Sequence, residues 1–261
     1  QLAPRTVRNH LALLRVMLKK AVALGWLLRV PEIRAPRVDP DEDDEPPRLS
    51  VAEANRLLEA ARRMIRVEDP HSEVPYVLYT AALMTGLRAG ELAGLRWSDI
   101  DFDRRTIHVR RSYTGPTKTR SSRRFVPIVN AFLPVLKQWQ RRCPKSELAL
   151  LFPNRANQTR DKHDRIFRET LHHVLDLAGF DRPTHARRAH IISFHSLRHS
   201  FACNWRMNGG ALEDLIRVLG HTSRKMTEYY ANVGGWHRPE HFSLFSNEAP
   251  SDPLHDSELP T

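Results

Sequence analysis

"TGLRAGELAGLRWSDIDFDRRTIHVRRS", residues 85–112, is where the chain changes period. Before it, residues 74–84 read as a mostly buried helix. Gly86 breaks that helix, and "AGELAGLRW" resumes one from about Ala89. From Thr106 the pattern alternates instead. "TIHVRRS" (106–112) and "RRFVPI" (123–128) both read as strands, joined by the turn-rich basic connector "YTGPTKTRSS" (113–122). A short antiparallel sheet of two or three strands on an otherwise helical body follows, so the expected fold is mainly α with a small antiparallel β-sheet, an α+β class.

Helices are expected on both sides of the sheet. "LSVAEANRLLEAARRM" (49–64) opens with a capping-box pattern, Ser50 with Glu53, and offers Val51, Leu57, Leu58 and Ala61 as a buried stripe. Further helices are expected at about 130–142, 161–178, 195–207, 211–219 and 223–231. From Thr6 to about Leu28 apolar residues recur at helical spacing, with Thr6 as cap after Pro4 and Gly25 marking the end of the helix. One such helix cannot enclose a core, so residues 1–30 are expected to be the end of an N-terminal helical domain. The chain starts at Gln1 inside this pattern and is expected to belong to a longer protein. Five prolines and an acidic run make 31–48 an extended linker. Residues 49–235 form the larger domain, and 236–261 a tail.

Charge narrows the function. Lys and Arg outnumber Asp and Glu by 41 to 30, a net of +11, and six of the acids sit in "DPDEDDE" (39–45), which has no Lys or Arg. The remainder is therefore more basic than the net figure, and an arginine-rich field of that kind suits a polyanion, phosphate in particular. Two cysteines, Cys143 and Cys203, are too few for a disulfide framework and fit a reducing compartment. No apolar run is long enough to span a bilayer and no signal-peptide pattern is present, so no membrane partner is expected.

Taken singly, the chemical candidates leave alternatives open. Arg88 follows Gly86 at a helix start, where backbone N–H groups favour an anion, but a solvated or salt-bridged arginine fits as well. Lys118 lies at a hairpin tip, where most lysines are only solvated. In "HSLRH", His195 and Arg198 share a helix face, and His199 follows His195 by four. That histidine pair resembles half a metal site, yet Arg198 stands between the two rings and no glutamate base accompanies them, so no metal is expected and His199 reads as packing under its helix. His221 ends "VLGH", as a helix-capping or a functional imidazole. Tyr229 and Tyr230 stand together in "TEYYANV" (227–233).

In order and spacing these residues resemble the tyrosine recombinase family, the phage-integrase type. The matching stretches are "TGLRAGELAGLRWSDID", "TKTRSSRRFVPI", "FHSLRHSFA" and "LGHTSRKMTEYYANV", spread over residues 49–233. The N-terminal "LAPRTVRNHLALLRVMLKKAVALGWL" is similar to the end of that family's core-binding domain. The family's nucleophile follows the His of Leu-Gly-His by nine residues and a threonine by three, and both spacings fall on Tyr230.

The resemblance implies a site-specific recombinase, an integrase that cuts and rejoins DNA through a 3′-phosphotyrosyl intermediate. Arg88 and Arg198 would clamp the non-bridging oxygens, Lys118 would protonate the leaving 5′ oxygen, and His195 and His221 would serve phosphate and nucleophile, His195 as the better base. Glu91 would orient Arg88, with His199 as a further supporting residue. No cofactor or metal is implied, since guanidinium groups supply the charge that Mg²⁺ provides elsewhere. The implied partner is double-stranded DNA, bound by a homo-tetramer that passes through a Holliday junction and is monomeric when free, in a bacterial or phage-infected cytoplasm at the nucleoid. A type IB topoisomerase shares this chemistry, and a DNA-binding module without catalysis shares only the charge.

Overall fold

A computed structural model describes residues 4–35, 47–113, 115–116, 123–180, 192–220 and residue 230. The connector 117–122, the linker 36–46, the expected helix at 223–231 apart from Tyr230, and the tail lie outside the described residues. The chain divides into two compact units, Gln1–Glu45 and Pro46–Thr261.

In the first unit, helix α1 spans Pro4–Ala23. It starts at the proline, whose fixed φ suits a first turn, so Thr6 lies inside the helix instead of capping it. It ends just before the expected Gly25, which takes a left-handed φ of +73° while Trp26 N–H reaches back to the Ala21 carbonyl at 2.9 Å. Leu13, Val16 and Met17 on α1 are exposed.

The second unit is built around one apolar helix. Helix α2 (Val51–Arg63) has its capping box: Ser50 Oγ accepts from Glu53 N–H and Glu53 Oε2 accepts from Ser50 N–H at 2.7 Å. It buries Ala54, Leu57, Ala60 and Ala61, while Val51 and Leu58 stay half-buried. Helix α3 (Val74–Thr85) is apolar on every side, as a helix enclosed by others must be. It packs against α2, α5 (Phe132–Arg142) and α7 (Phe194–Met207). Each fully buried leucine on it, such as Leu78, contributes about 2 kcal/mol relative to exposure. Tyr79, also enclosed, donates its hydroxyl to the Ile166 carbonyl at 2.8 Å.

Three expectations change at the centre. The helix read through Trp97 is only α4, Ala89–Ala93. A short 3₁₀ turn at Trp97–Asp99 replaces its continuation, because the Asp99 carboxylate takes the Arg96 N–H at 3.0 Å. The strand read over 106–112 breaks at Arg110. Strand β1 is Ile100–Asp101, β2 is Thr106–Val109, and β3 is Arg111–Ser112, which pairs with β4 (Gly115–Pro116) inside the supposed connector. Neighbouring strand residues point to opposite faces. Arg110 and Arg111 nevertheless both reach the buried Asp99 carboxylate, Arg111 Nη1 at 2.7 Å, and the chain kinks to allow it. The helix read over 161–178 is likewise shortened to α6, Glu169–Leu177. Asp161 and Asp164 bond to the backbone N–H groups of His163 and Ile166 and hold the preceding residues in turns.

Strand β5 (Arg124–Pro127) completes a three-stranded antiparallel sheet of order β1-β2-β5. Register sets Ile107 against Val126 and Val109 against Arg124 on the buried face, and His108 stacked on Phe125 outside. Helix α8 (Leu212–Leu219) lies against β5.

Gly86 closes α3 in the left-handed region, φ +63°, and a Cβ there would stand 2.4 Å from Phe201 Cδ1. Gly86→Ala therefore combines backbone strain with a clash and is expected to cost ~3 kcal/mol in urea unfolding. Gly179→Ala, with φ +72° but open space, is expected to cost only about 1 kcal/mol.

Candidate active site

The end of α8 organises the site. The last carbonyls of a helix have no intrahelical partner and form the negative end of its dipole. Here three consecutive carbonyls accept from three different arginines. Arg124 Nε donates to Val218, Arg198 Nη2 to Leu219 at 2.8 Å, and Arg88 Nη2 to Gly220 at 3.4 Å. Gly220 ends the helix with φ +63°, and a Cβ there would press within 3.0 Å of Arg124 Nη1.

Each arginine is fixed a second time. Arg198 projects from α7, is buried, and gives Nη1 to the Gly86 carbonyl at 2.6 Å. Burial and then the neighbouring Arg88 pull its pKa down to about 9, which still leaves it a cation at neutral pH. Arg88 is the N-terminal cap residue of α4 and gives Nη1 to Glu91 Oε1 at 3.1 Å, while its N–H bonds Oε2 at 2.9 Å. Its side chain is about a third exposed, the most open of the three. Glu91 is buried, and burial alone would raise its pKa. Arg124's hydrogen bonds and charge, with the Arg88 N–H and side chain, outweigh that and keep the carboxyl below its ordinary range.

Helix α7 also presents two imidazoles. His195 and His199 meet edge to face with ring centroids 4.6 Å apart. His199 Nδ1 is hydrogen-bonded to the hydroxyl of Tyr230, which is buried. The Arg206 guanidinium donates to the Tyr230 carbonyl at 3.2 Å. Desolvation, then the charges of His195 and Arg198, push His199 down to about 4. His195 is lowered by desolvation, Arg198 and Arg88. Both rings are therefore neutral at pH 7, and the tautomer of His199 sets whether Nδ1 accepts from the phenol O–H or donates to its oxygen. Among the described residues, no three His, Cys, Asp or Glu side chains gather as metal ligands.

Of the residues singled out from sequence, the structure brings Arg88, Glu91, His195, Arg198, His199 and Tyr230 into one neighbourhood, linked through α7 and the α8 terminus. Lys118, His221 and Tyr229 lie outside the described residues. His199, expected to pack under its helix, touches the phenol. Arg124 is the addition. Sequence reading set it in the strand 123–128 without a role, yet it points inward and is buried. A signal was present: in "RFVPI" Arg124 shares its strand face with Val126 and Ile128, both core residues.

A guanidinium cluster at a helix end, with a buried phenol at its edge, makes this an α+β fold bearing a candidate anion site beside a candidate nucleophile. The family model of the phage integrase family matches residues 47–235, and the chain belongs to that family. Prophage integrase IntR of Escherichia coli is 28% identical over 256 residues, which is 89% of this chain and 57% of that protein. Tyrosine recombinase XerA of Thermococcus onnurineus is 29% identical over 199 residues, covering 74% of this chain and 64% of the relative. The chain thus spans only about half to two thirds of these relatives. Among solved structures, a XerA recombinase superposes with TM-score 0.55 at 26% identity over 74% of this chain and 61% of its own. The Tn1549 transposon integrase, solved in complex with a circular intermediate DNA, shares the fold with TM-score 0.72 at 19% identity, over 88% of this chain and 75% of its own.

The depressed histidines set a pH dependence. Between about 6.5 and 4 the unfolded chain protonates His199 while the folded chain does not, so the unfolded state binds more protons and stability falls as pH falls through that window. His195 acts in the same direction. Thermal melts at pH 7 and pH 4.5 are expected to show a drop in Tm, and His199→Asn to make that drop smaller.

Proposed function

We propose that this chain is the catalytic part of a site-specific DNA recombinase, an integrase that cleaves and rejoins double-stranded DNA through a covalent 3′-phosphotyrosyl intermediate. The observation that carries it is the convergence of Arg88 and Arg198 on adjacent carbonyls of one helix end, with α7 bringing Tyr230 to the same neighbourhood. Membership of the phage integrase family supports it.

A phosphodiester entering beside Arg88 would accept from its fork, and Arg198 would stabilise the charge that builds at five-coordinate phosphorus. Tyr230 Oη attacks phosphorus, a Tyr–O–P bond forms, and the P–O5′ bond breaks. The leaving 5′ oxygen takes a proton, which we assign to Lys118 on its place in the family motif. His221 is assigned to the phosphate on the same ground. The phenolic proton needs an acceptor. Transfer from a phenol near 10 to an imidazole near 4 would be uphill by roughly 8 kcal/mol. His199 therefore holds and aims the hydroxyl, and His195 is the better base once the incoming phosphate raises its pKa. Rejoining reverses these steps on another strand, conserving the bond energy.

The wider reading follows the sequence. Residues 1–30 are the end of a core-binding domain, 31–48 a linker, 49–235 the catalytic domain and 236–261 a tail. Four copies on two duplexes would exchange strands through a Holliday junction, the free protein being monomeric and cytoplasmic in a bacterial or phage-infected cell. Among the described residues no helix is long and apolar enough to cross a membrane.

The test is trapping on a nicked suicide duplex whose attachment sequence has been selected from a randomised pool by binding. Wild type should form a covalent complex and join two duplexes rather than only relax a plasmid. Tyr230→Phe should abolish trapping, and Arg198→Lys should slow it by on the order of 10²-fold. Loss of trapping in Tyr229→Phe but not in Tyr230→Phe would overturn the assignment.

A further inference from the structure

Arg124 has no obvious reason to be an arginine. It stands on the inner face of β5, between apolar neighbours, opposite Val109 and two residues before Val126. Replacing a buried ion pair by packed apolar side chains is often neutral or stabilising, so stability alone does not call for a guanidinium there. What it provides is geometry. Its fork grips Glu91 with both arms, Nη1 to Oε1 at 2.8 Å and Nη2 to Oε2 at 2.9 Å, while Nε holds the Val218 carbonyl. Glu91 Oε1 is the same oxygen that holds Arg88 Nη1. Val218 precedes the two residues whose carbonyls hold Arg198 and Arg88. One planar side chain therefore joins β5, the start of α4 and the end of α8, and through them touches the anchors of both phosphate-clamping arginines.

We propose that Arg124 is a positioning residue, which sets Arg88 against the α8 terminus so that its guanidinium meets the scissile phosphate in register. The proposal rests on the recombinase reading above. A lysine in its place keeps one charge near Glu91 but cannot hold both carboxylate oxygens and the Val218 carbonyl together.

The experiment is a double-mutant cycle on the covalent-attachment rate, measured under single turnover on the suicide duplex. Thermal melts and equilibrium binding to the unnicked duplex run beside it. Arg124→Lys is expected to stay folded, to bind DNA within about twofold of wild type, and to attach on the order of 30-fold more slowly, because it disturbs the donor and not the docking surface. In an Arg88→Ala background the same substitution should change the rate by less than about threefold, since there is no Arg88 left to position. The pair Arg124→Met with Glu91→Gln, which strands no buried carboxylate, should fold and show the same slow attachment.

Penalties that multiply fully in the Arg88→Ala background, or a wild-type rate for Arg124→Lys, would overturn the positioning role while leaving the recombinase reading intact. Failure of both Arg124→Lys and the Arg124→Met pair to fold would make Arg124 a structural residue and overturn it equally. If wild type itself traps no DNA, the recombinase reading falls and takes this proposal with it.

Discussion

A helix that ends inside a protein exposes acceptors that something must satisfy. In this chain the end of α8 is satisfied by arginine side chains from three other elements, β5, α7 and α4. The fold answers the ordinary need to pair carbonyls with groups that also bind phosphate. Positive charge is held where water is scarce, at the negative end of a helix dipole, which lowers the cost of keeping the guanidinium groups close. Two left-handed glycines make the arrangement possible. Gly86 and Gly220 each end a helix, and the carbonyl of each accepts from Arg198 or Arg88.

Glu91 completes the balance. It faces Arg124 on one side and Arg88 on the other, and its carboxylate stays ionised despite burial because those two groups compensate it. Removing Glu91 would leave the buried Arg124 without its counter-charge, so the cluster is vulnerable to that single change. Arg88 is its open member and faces outward from a supported base. A donor already fixed in place needs little reorganisation when a phosphate arrives, which is the condition for stabilising charge that develops in a transition state.

How far the sequence showed this depends on the range of the interactions. The helix-to-strand change at residues 85–112 was readable, because period is a local property, as was the Ser50–Glu53 cap. The ends of α4, β2 and α6 were not. Each is set by an aspartate competing with the regular pattern, and in Asp99's case the competitors, Arg110 and Arg111, lie more than ten residues on. For the site, motif order picked out Arg88, His195, Arg198 and Tyr230, since those positions are fixed relative to their neighbours. Arg124 was hidden because its meaning depends on Glu91, 33 residues away, and on a carbonyl 94 residues away. His199 was underestimated for a related reason. Its partner hydroxyl is 31 residues away, and nothing in "HSLRH" says which histidine faces it.

The state of that tyrosine gives the cluster its order of events. Tyr230 is enclosed, and its hydroxyl is hydrogen-bonded to an imidazole that desolvation keeps neutral. Without an anion present, then, the candidate nucleophile is protonated and weak. A phosphodiester seated among the arginines would change the local electrostatics at the imidazoles, whose pKa values desolvation and then neighbouring positive charge lower: negative charge there raises their affinity for a proton. On this reasoning substrate binding and activation of the phenol are one electrostatic event. On the proposed reading, the arginines that would grip the phosphate also help, after desolvation, to hold the imidazoles' proton affinity down until it arrives.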